Sequence, residues 1–235
     1  MLNTSALFLG VVLTGTLVAS ATQAQHLQEV GVAGSFNVNQ TWAKQRTLTL
    51  GSSTLYTDTD RARDDDTGNR ASLYARVGLG KGSFFVQPEV AYTSVLGNQY
   101  TLEFPRGYFS YAHRIRRLEV AALAGYHLTD KFYLVAGPVL AVNKREKTVL
   151  NGLESWQPAY TSLETSPEHV QLLGQLGMGV RLWRFDVGAR YEHSLTPYTK
   201  HLRFDNQTYA YQQSTNQYIL SVGFLLFDKN LPWKK

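Results

Sequence analysis

The sequence has no cysteine. Disulfides, thiolate–metal centres and a cysteine nucleophile are therefore excluded together. Charge is also scarce, at 17% against about 25% in an ordinary soluble domain. The formal balance of +5 is mild, and no Lys/Arg run, zinc-type spacing or RNA-binding aromatic motif occurs, so nucleic acid is not expected as a partner. The six histidines show no H-E-x-x-H or similar metal spacing. Neither a metal nor a cofactor is expected. Beyond Gln25 there is no apolar run approaching the roughly 20 residues of a membrane-spanning helix.

What is present begins with MLNTSALFLGVVLTGTLVASATQA, residues 1–24. Its apolar stretch from Ala6 to about Val18 is followed by the small-residue sites Ala19-Ser20-Ala21 and Thr22-Gln23-Ala24. This pattern reads as a secretory signal peptide cleaved after Ala24, although no Lys or Arg precedes the apolar stretch. The alternative is an uncleaved anchor, for which the run is short. Residues 25–235 are then expected to form one domain.

The dominant period in that domain is two, the period of a strand. Eight segments alternate, at about 29–38, 71–80, 83–92, 115–127, 132–142, 170–182, 185–193 and 217–227. On one face stand residues such as Val32, Phe36, Leu73, Val90, Leu118, Leu140, Met178, Val187 and Val222, almost free of charge. The other face mixes Gly, Ala, Gln and charged residues. The connections alternate too. Lys81-Gly82, Thr129-Asp130-Lys131 and Trp183-Arg184 are tight, while residues 39–70, 93–113, 143–169 and 194–216 are long and polar. Short turns at one end and long loops at the other predict an all-β fold, an eight-stranded antiparallel up-and-down transmembrane β-barrel with short periplasmic turns and long extracellular loops. Strands of 9–11 residues suit a tilted crossing of hydrocarbon. Two aromatic girdles are expected. One comprises Tyr126, Phe132, Trp183 and Phe185 by the short turns, the other Tyr92, Tyr108, Phe109, Tyr111 and Tyr191 towards the long loops. A secreted lipocalin-like barrel would reverse the faces, with an apolar lumen and a charged exterior.

Leu118-Glu119-Val120-Ala121 followed by Lys131-Phe132-Tyr133-Leu134-Val135-Ala136-Gly137-Pro138 resembles the central hairpin of the PorT-like outer-membrane β-barrel family, with Ala121 where proline is usual. Ala189-Arg190-Tyr191 and Ser194-Leu195 are similar to a further segment of that family. Tyr218–Phe227 looks like the closing strand by which the assembly machinery recognises such barrels, here followed by Asp228–Lys235. The resemblance implies a small barrel like those of the OmpX and OmpA type, located in the cell outer membrane. It implies no enzyme activity.

Inward-facing charges are expected at Arg76, Arg117, Arg181 and Arg190 and at Glu89, Glu119, Asp186 and Glu192. Buried charges persist only when paired, so Arg76, Glu89, Glu119 and Arg190 are expected to join in a lumen salt-bridge network. Such a network makes the lumen a structural plug, and a gated small pore is the alternative. Arg114 and Arg116 have lipid-facing parity near the long-loop end, where guanidinium groups can pair with lipopolysaccharide phosphates. The carboxylate-rich stretch Asp58–Asn69 fails as an EF-hand, because the twelfth residue from Asp58, Asp60 or Asp64 is Asn69, Ala71 or Ala75 and never Glu. His193-Ser194 invites a hydrolase reading, but neighbours on a strand point to opposite faces. No catalytic residue is assigned.

The expected function is that of an integral outer-membrane protein, non-enzymatic, with a structural or surface-interaction role. Its expected partners are outer-membrane lipids, lipopolysaccharide and the barrel-assembly machinery; a loop partner is unspecified. The alternatives are a small passive channel, a lipid A-modifying hydrolase or a secreted binder.

Overall fold

The computed structural model describes residues 25–58, 67–80, 82–105, 107–144 and 157–229. The signal peptide expected at 1–24, most of the carboxylate-rich stretch after Asp58 and the tail beyond Lys229 lie outside them.

The elements in chain order are β1 (Gln25–Ala43), β2 (Thr47–Leu50), β3 (Ser53–Asp58), β4 (Thr67–Leu79), β5 (Phe84–Phe104), β6 (Gly107–His127), β7 (Phe132–Asn143), α1 (Gln157–Thr165), β8 (Val170–Leu182), β9 (Phe185–Ser194), β10 (Thr199–Phe204) and β11 (Gln207–Asp228). All eleven strands belong to one antiparallel sheet. Within it β1, β4, β5, β6, β7, β8, β9 and β11 pair in succession and close as an eight-strand ring. Closure is made by β1 against β11, from Ala43↔Gln213 down to Glu29↔Asp228, with one bulge at Val30/Gly31. The strand total thus differs from the eight read in the sequence. β2, β3 and β10 are extra strands set in the segments read as loops.

Four ring strands are far longer than a membrane crossing requires. β1, β5, β6 and β11 run for 19, 21, 21 and 22 residues, against about 9–11 for a tilted crossing. Each therefore continues past the apolar band at the long-loop end. There β3 pairs with β5 from Thr54↔Glu103 to Asp58↔Gln99, and β2 pairs with β3. A tight turn at Asp205-Asn206, both at positive φ, joins β10 to β11. A bulge between Leu96 and Gln99 changes which residues of β5 point inward. It carries Tyr100 and Leu102 into a second core with Leu50, Leu55, Leu163 of α1, Leu202 and Tyr211. This core forms a roof over the ring.

The outer wall is apolar. Val32, Leu73, Val90, Leu118, Leu140, Leu176, Met178, Leu220 and Val222 are all exposed, while Arg76, Glu89, Arg117, Glu119 and Glu192 are buried. That is the inverse of a soluble lipocalin-like barrel. Aromatic residues band the short-turn end, with Phe84 tilted against Tyr126 at 4.8 Å and Phe185 edge-on to Phe224 at 5.8 Å. At the other end of the band Tyr191 meets Tyr218 at 5.2 Å. Tyr111 is not part of this girdle. Its ring packs against Tyr160 of α1 at 5.0 Å and Tyr100 at 5.5 Å, and Phe109 stacks on Tyr111 at 5.7 Å. The continuation of β6 past the apolar band placed both residues at the roof.

Val222 is 58% exposed near the middle of the apolar stretch of β11. Val222→Arg is expected to lower unfolding free energy in lipid vesicles by about 2–4 kcal/mol, the usual cost of arginine at the bilayer midplane. Gln212→Arg, at the exposed long-loop end of the same strand, should change it by less than about 1 kcal/mol. Urea unfolding followed by tryptophan fluorescence measures both; equal effects would contradict the lipid-facing wall.

Candidate functional site

Alternate residues of every ring strand enter a lumen that an eight-strand ring leaves just wide enough for side chains. The charges there form one continuous column. At the short-turn end Arg181 pairs with Glu29 and lies 3.7 Å from Asp228. Glu29 also accepts from Arg76 at 2.7 Å, and Arg76 reaches Asp186 at 2.7 Å. Gln87 carries the connection upward: its Oε1 accepts from Arg76 Nε at 2.9 Å and its Nε2 donates to Glu89 Oε2 at 2.8 Å. Arg70 and Arg190 converge on Glu89, at 2.7 and 2.9 Å. Arg70 Nε then donates to Glu119 at 2.9 Å. Glu119 also accepts from Thr93 and from Arg117 Nε, each at 2.7 Å. Arg117 ends the column on Glu192, whose other oxygen accepts from Gln175 at 2.7 Å.

Aromatic rings enclose the lower part of this column. The Arg76 guanidinium lies 4.0 Å from the Tyr133 ring centre, with Tyr74 at 5.2 Å and Phe85 at 5.5 Å. Desolvated cation–π contacts of this kind contribute up to about 2 kcal/mol or more. The Tyr133 hydroxyl donates to Asp186. These rings need room, and glycine supplies it. A Cβ at Gly125 would overlap the Phe85 ring, and one at Gly179 would overlap Tyr133. Phe85 and Tyr133 also pack in one buried cluster with Ala121, Leu123, Val135, Val139, Ala141 and Leu173. The charged column thus adjoins an apolar cluster centred on β6 and β7.

The four residues singled out in the sequence all lie in this column. Glu89 and Arg190 pair directly, Arg76 reaches them through Gln87, and Glu119 reaches them through Arg70. Sequence reading missed Arg70 and Glu29. Arg70 falls at the end of the long polar segment 39–70, yet it shares the inward parity of Ser72, Tyr74 and Arg76. Glu29 shares that of Gly31. Extending the parity of 71–80 one residue outward reaches Arg70, and Glu29 already stands on the inward parity of the strand read as 29–38.

A second buried cluster sits beneath the roof. His113 Nδ1 is 2.8 Å from Glu164 of α1, and its Nε2 is 2.7 Å from the Tyr198 hydroxyl. All three are buried. They come from β6, α1 and the segment before β10, so the cluster fastens the long-loop structure to the ring. Ser194 and His193 do not cooperate. Ser194 bonds Gln171 and the Thr215 carbonyl inside, while His193 is exposed and stacks on Tyr191 outside. Among the described residues no group of three or more His, Asp or Glu is arranged to hold a metal ion.

On the outer wall, Arg116 is level with Ser94 and Arg114 with Leu96, immediately beyond the Tyr92↔Leu118 pair. Arg114 donates to Ser94 Oγ at 3.3 Å. The Lys144 amide donates to the Arg116 carbonyl at 2.8 Å, which sets a third cation beside the pair. At the short-turn end a cavity of about 770 Å3 opens between the turns, lined by His127, Lys131, Arg181, Asp228 and Lys229 among others.

Comparison with known families matches residues 22–200 to a model described as outer membrane protein beta-barrel domain. A search of curated proteins gave no match. Among solved structures, Ail of Yersinia pestis, determined in complex with the heparin analogue sucrose octasulfate, is 12% identical, with 86% of this chain and 100% of that chain covered and a TM-score of 0.43. OprG of Pseudomonas aeruginosa is 10% identical, with 86% and 97% covered and a TM-score of 0.44.

Breaking the column should be costly, because the remaining partners keep their burial. Arg70→Met leaves Glu89 and Glu119 each short of a cation and should lower unfolding free energy by about 3–5 kcal/mol. The same urea titration reads it; a loss below about 1 kcal/mol, the scale of an exposed pair, would contradict an integrated column.

Proposed function

The chain belongs to the outer membrane protein beta-barrel domain family, and from that premise we propose a non-enzymatic barrel with a plugged lumen and a structural or surface-interaction role. That it is an integral outer-membrane β-barrel protein follows from the family and the ring. The plug rests chiefly on one observation, the two groups of ion pairs between Asp228 and Glu192 that Gln87 joins into one column. A conducting pore needs a continuous water-filled path, and a selective one lines it with an excess of one sign. Here each arginine is held by carboxylates, and the roof core lies above.

In this reading the long-loop end faces outward and the short turns face the periplasm, the arrangement usual for such barrels. Residues 1–24 act as the export signal. The β11 segment Tyr218–Phe227 is the stretch offered to the assembly machinery. Lys131–Pro138 and Leu118–Ala121 favour a place among PorT-like barrels within the family. The outward cations Arg114 and Arg116 stand at headgroup height and contact lipopolysaccharide phosphates. The roof, rather than unstructured loops, is the surface offered to partners.

Two measurements test this. Wild-type protein in planar bilayers should show no discrete conductance steps at neutral pH, whereas regular steps would favour the passive-channel reading. Arg114→Ala combined with Arg116→Ala should lower the lipopolysaccharide that co-purifies with the barrel, with the lumen pairs untouched. Unchanged co-purification would remove the phosphate contact.

A further inference from the structure

Below the outward arginines the lipid-facing wall is hollow. A groove of about 550 Å3 crosses β1, β4, β5 and β6. Gly34 and Ala71 form its floor, and Leu73, Val90, Tyr92 and Leu118 stand around it. The register places Gly34 opposite Ala71, Ala71 opposite Tyr92 and Tyr92 opposite Leu118, so one level of four neighbouring strands builds it. A Cβ at Gly34 would meet nothing within 4 Å, so no neighbouring side chain occupies the hollow. The next outward residues towards the long-loop end are Ser94 and Arg116, then Leu96 and Arg114. Each step is roughly 7 Å along a strand. Cations therefore stand at the mouth of an apolar groove that runs into the membrane.

We infer that this groove seats an acyl chain of lipid A whose phosphate is held by Arg114 and Arg116. The inference rests on the phosphate contact proposed above and adds the chain-binding wall to it. Transfer from water contributes nothing inside a bilayer. Retention depends instead on close contact, which a recessed wall of small residues increases. The neighbouring Arg114, Arg116 and Lys144 favour a headgroup with more than one phosphate over a singly charged glycerophospholipid, and guanidinium pairs phosphate oxygens bidentately.

The test uses the full chain in phosphatidylcholine nanodiscs doped with diphosphoryl lipid A or, separately, with phosphatidylglycerol. Lipid retained after detergent transfer is counted by native mass spectrometry, and boiled against unboiled gel mobility checks that each variant has folded. Gly34→Leu fills the groove without touching a charge; Ala71→Leu is the second variant should the first fail to fold. Wild type is expected to retain lipid A in preference to phosphatidylglycerol. Each filling variant and the Arg114→Ala/Arg116→Ala pair should reduce retention about tenfold, a difference of roughly 1.4 kcal/mol. Loss in the arginine pair alone would overturn the groove and leave the phosphate contact standing. Equal retention of phosphatidylglycerol would overturn the assignment to lipid A. Unchanged retention in all variants would overturn the groove and the contact together.

Discussion

Everything in this structure depends on the rule that a backbone N–H or C=O cannot be left unpaired in hydrocarbon. An open sheet would expose two edges to lipid, so the chain must bring its first ring strand to its last. The pairing of β1 with β11 does this over nearly the whole length of both. Closure then divides the side chains by parity. One set meets lipid and needs no polar group. The other is sealed inside and must satisfy itself.

That second condition explains the lumen. With no solvent shell, each arginine needs carboxylates and each carboxylate needs donors. Arg70, Arg76 and Arg117 each bind two acidic groups, and Gln87 and Thr93 add further bonds to them. The aromatic rings around Arg76 fill what the charges do not, and the inward glycines make their fit possible. The apolar wall on β6, β7 and β8 completes the packing. The same demand continues upward, where the four long strands leave the membrane with their edges exposed. β2, β3, β10 and α1 cover them, and His113, Glu164 and Tyr198 tie that cover to the ring.

The ring and its two faces were legible in the sequence because a half-buried strand writes its environment at every second residue. Leu118 to Tyr126 and Gln171 to Arg181 each show it over a full crossing. Tight turns such as Trp183-Arg184 marked the boundaries between strands. The roof was not legible. Thr47–Leu50 alternates for only four residues and Thr199–Phe204 is largely polar, so neither stands out within a long polar segment, and the bulge at Leu96/Gln99 breaks the period where the strand continues. Arg70 is missed for a different reason: the period of β4 is intact there, but the strand is read as starting one residue later, at 71. The His113–Glu164–Tyr198 cluster joins three distant segments, and no local pattern announces it. The hollow at Gly34 and Ala71 depends on register across strands, which a single strand cannot reveal.

Structure and setting thus come from one constraint, and the proposed role uses what that constraint leaves over: a lumen crossed by paired charges, a lipid-facing wall with cations at its rim, and a roof facing away from the membrane. The most direct test of the closed, lipid-embedded barrel is the gel mobility of the outer-membrane fraction, unheated against boiled in detergent. A closed barrel should stay folded and run faster when unheated, then shift on boiling, with the protein in the membrane fraction. Recovery in the soluble periplasmic fraction with no mobility shift would contradict the account at its base.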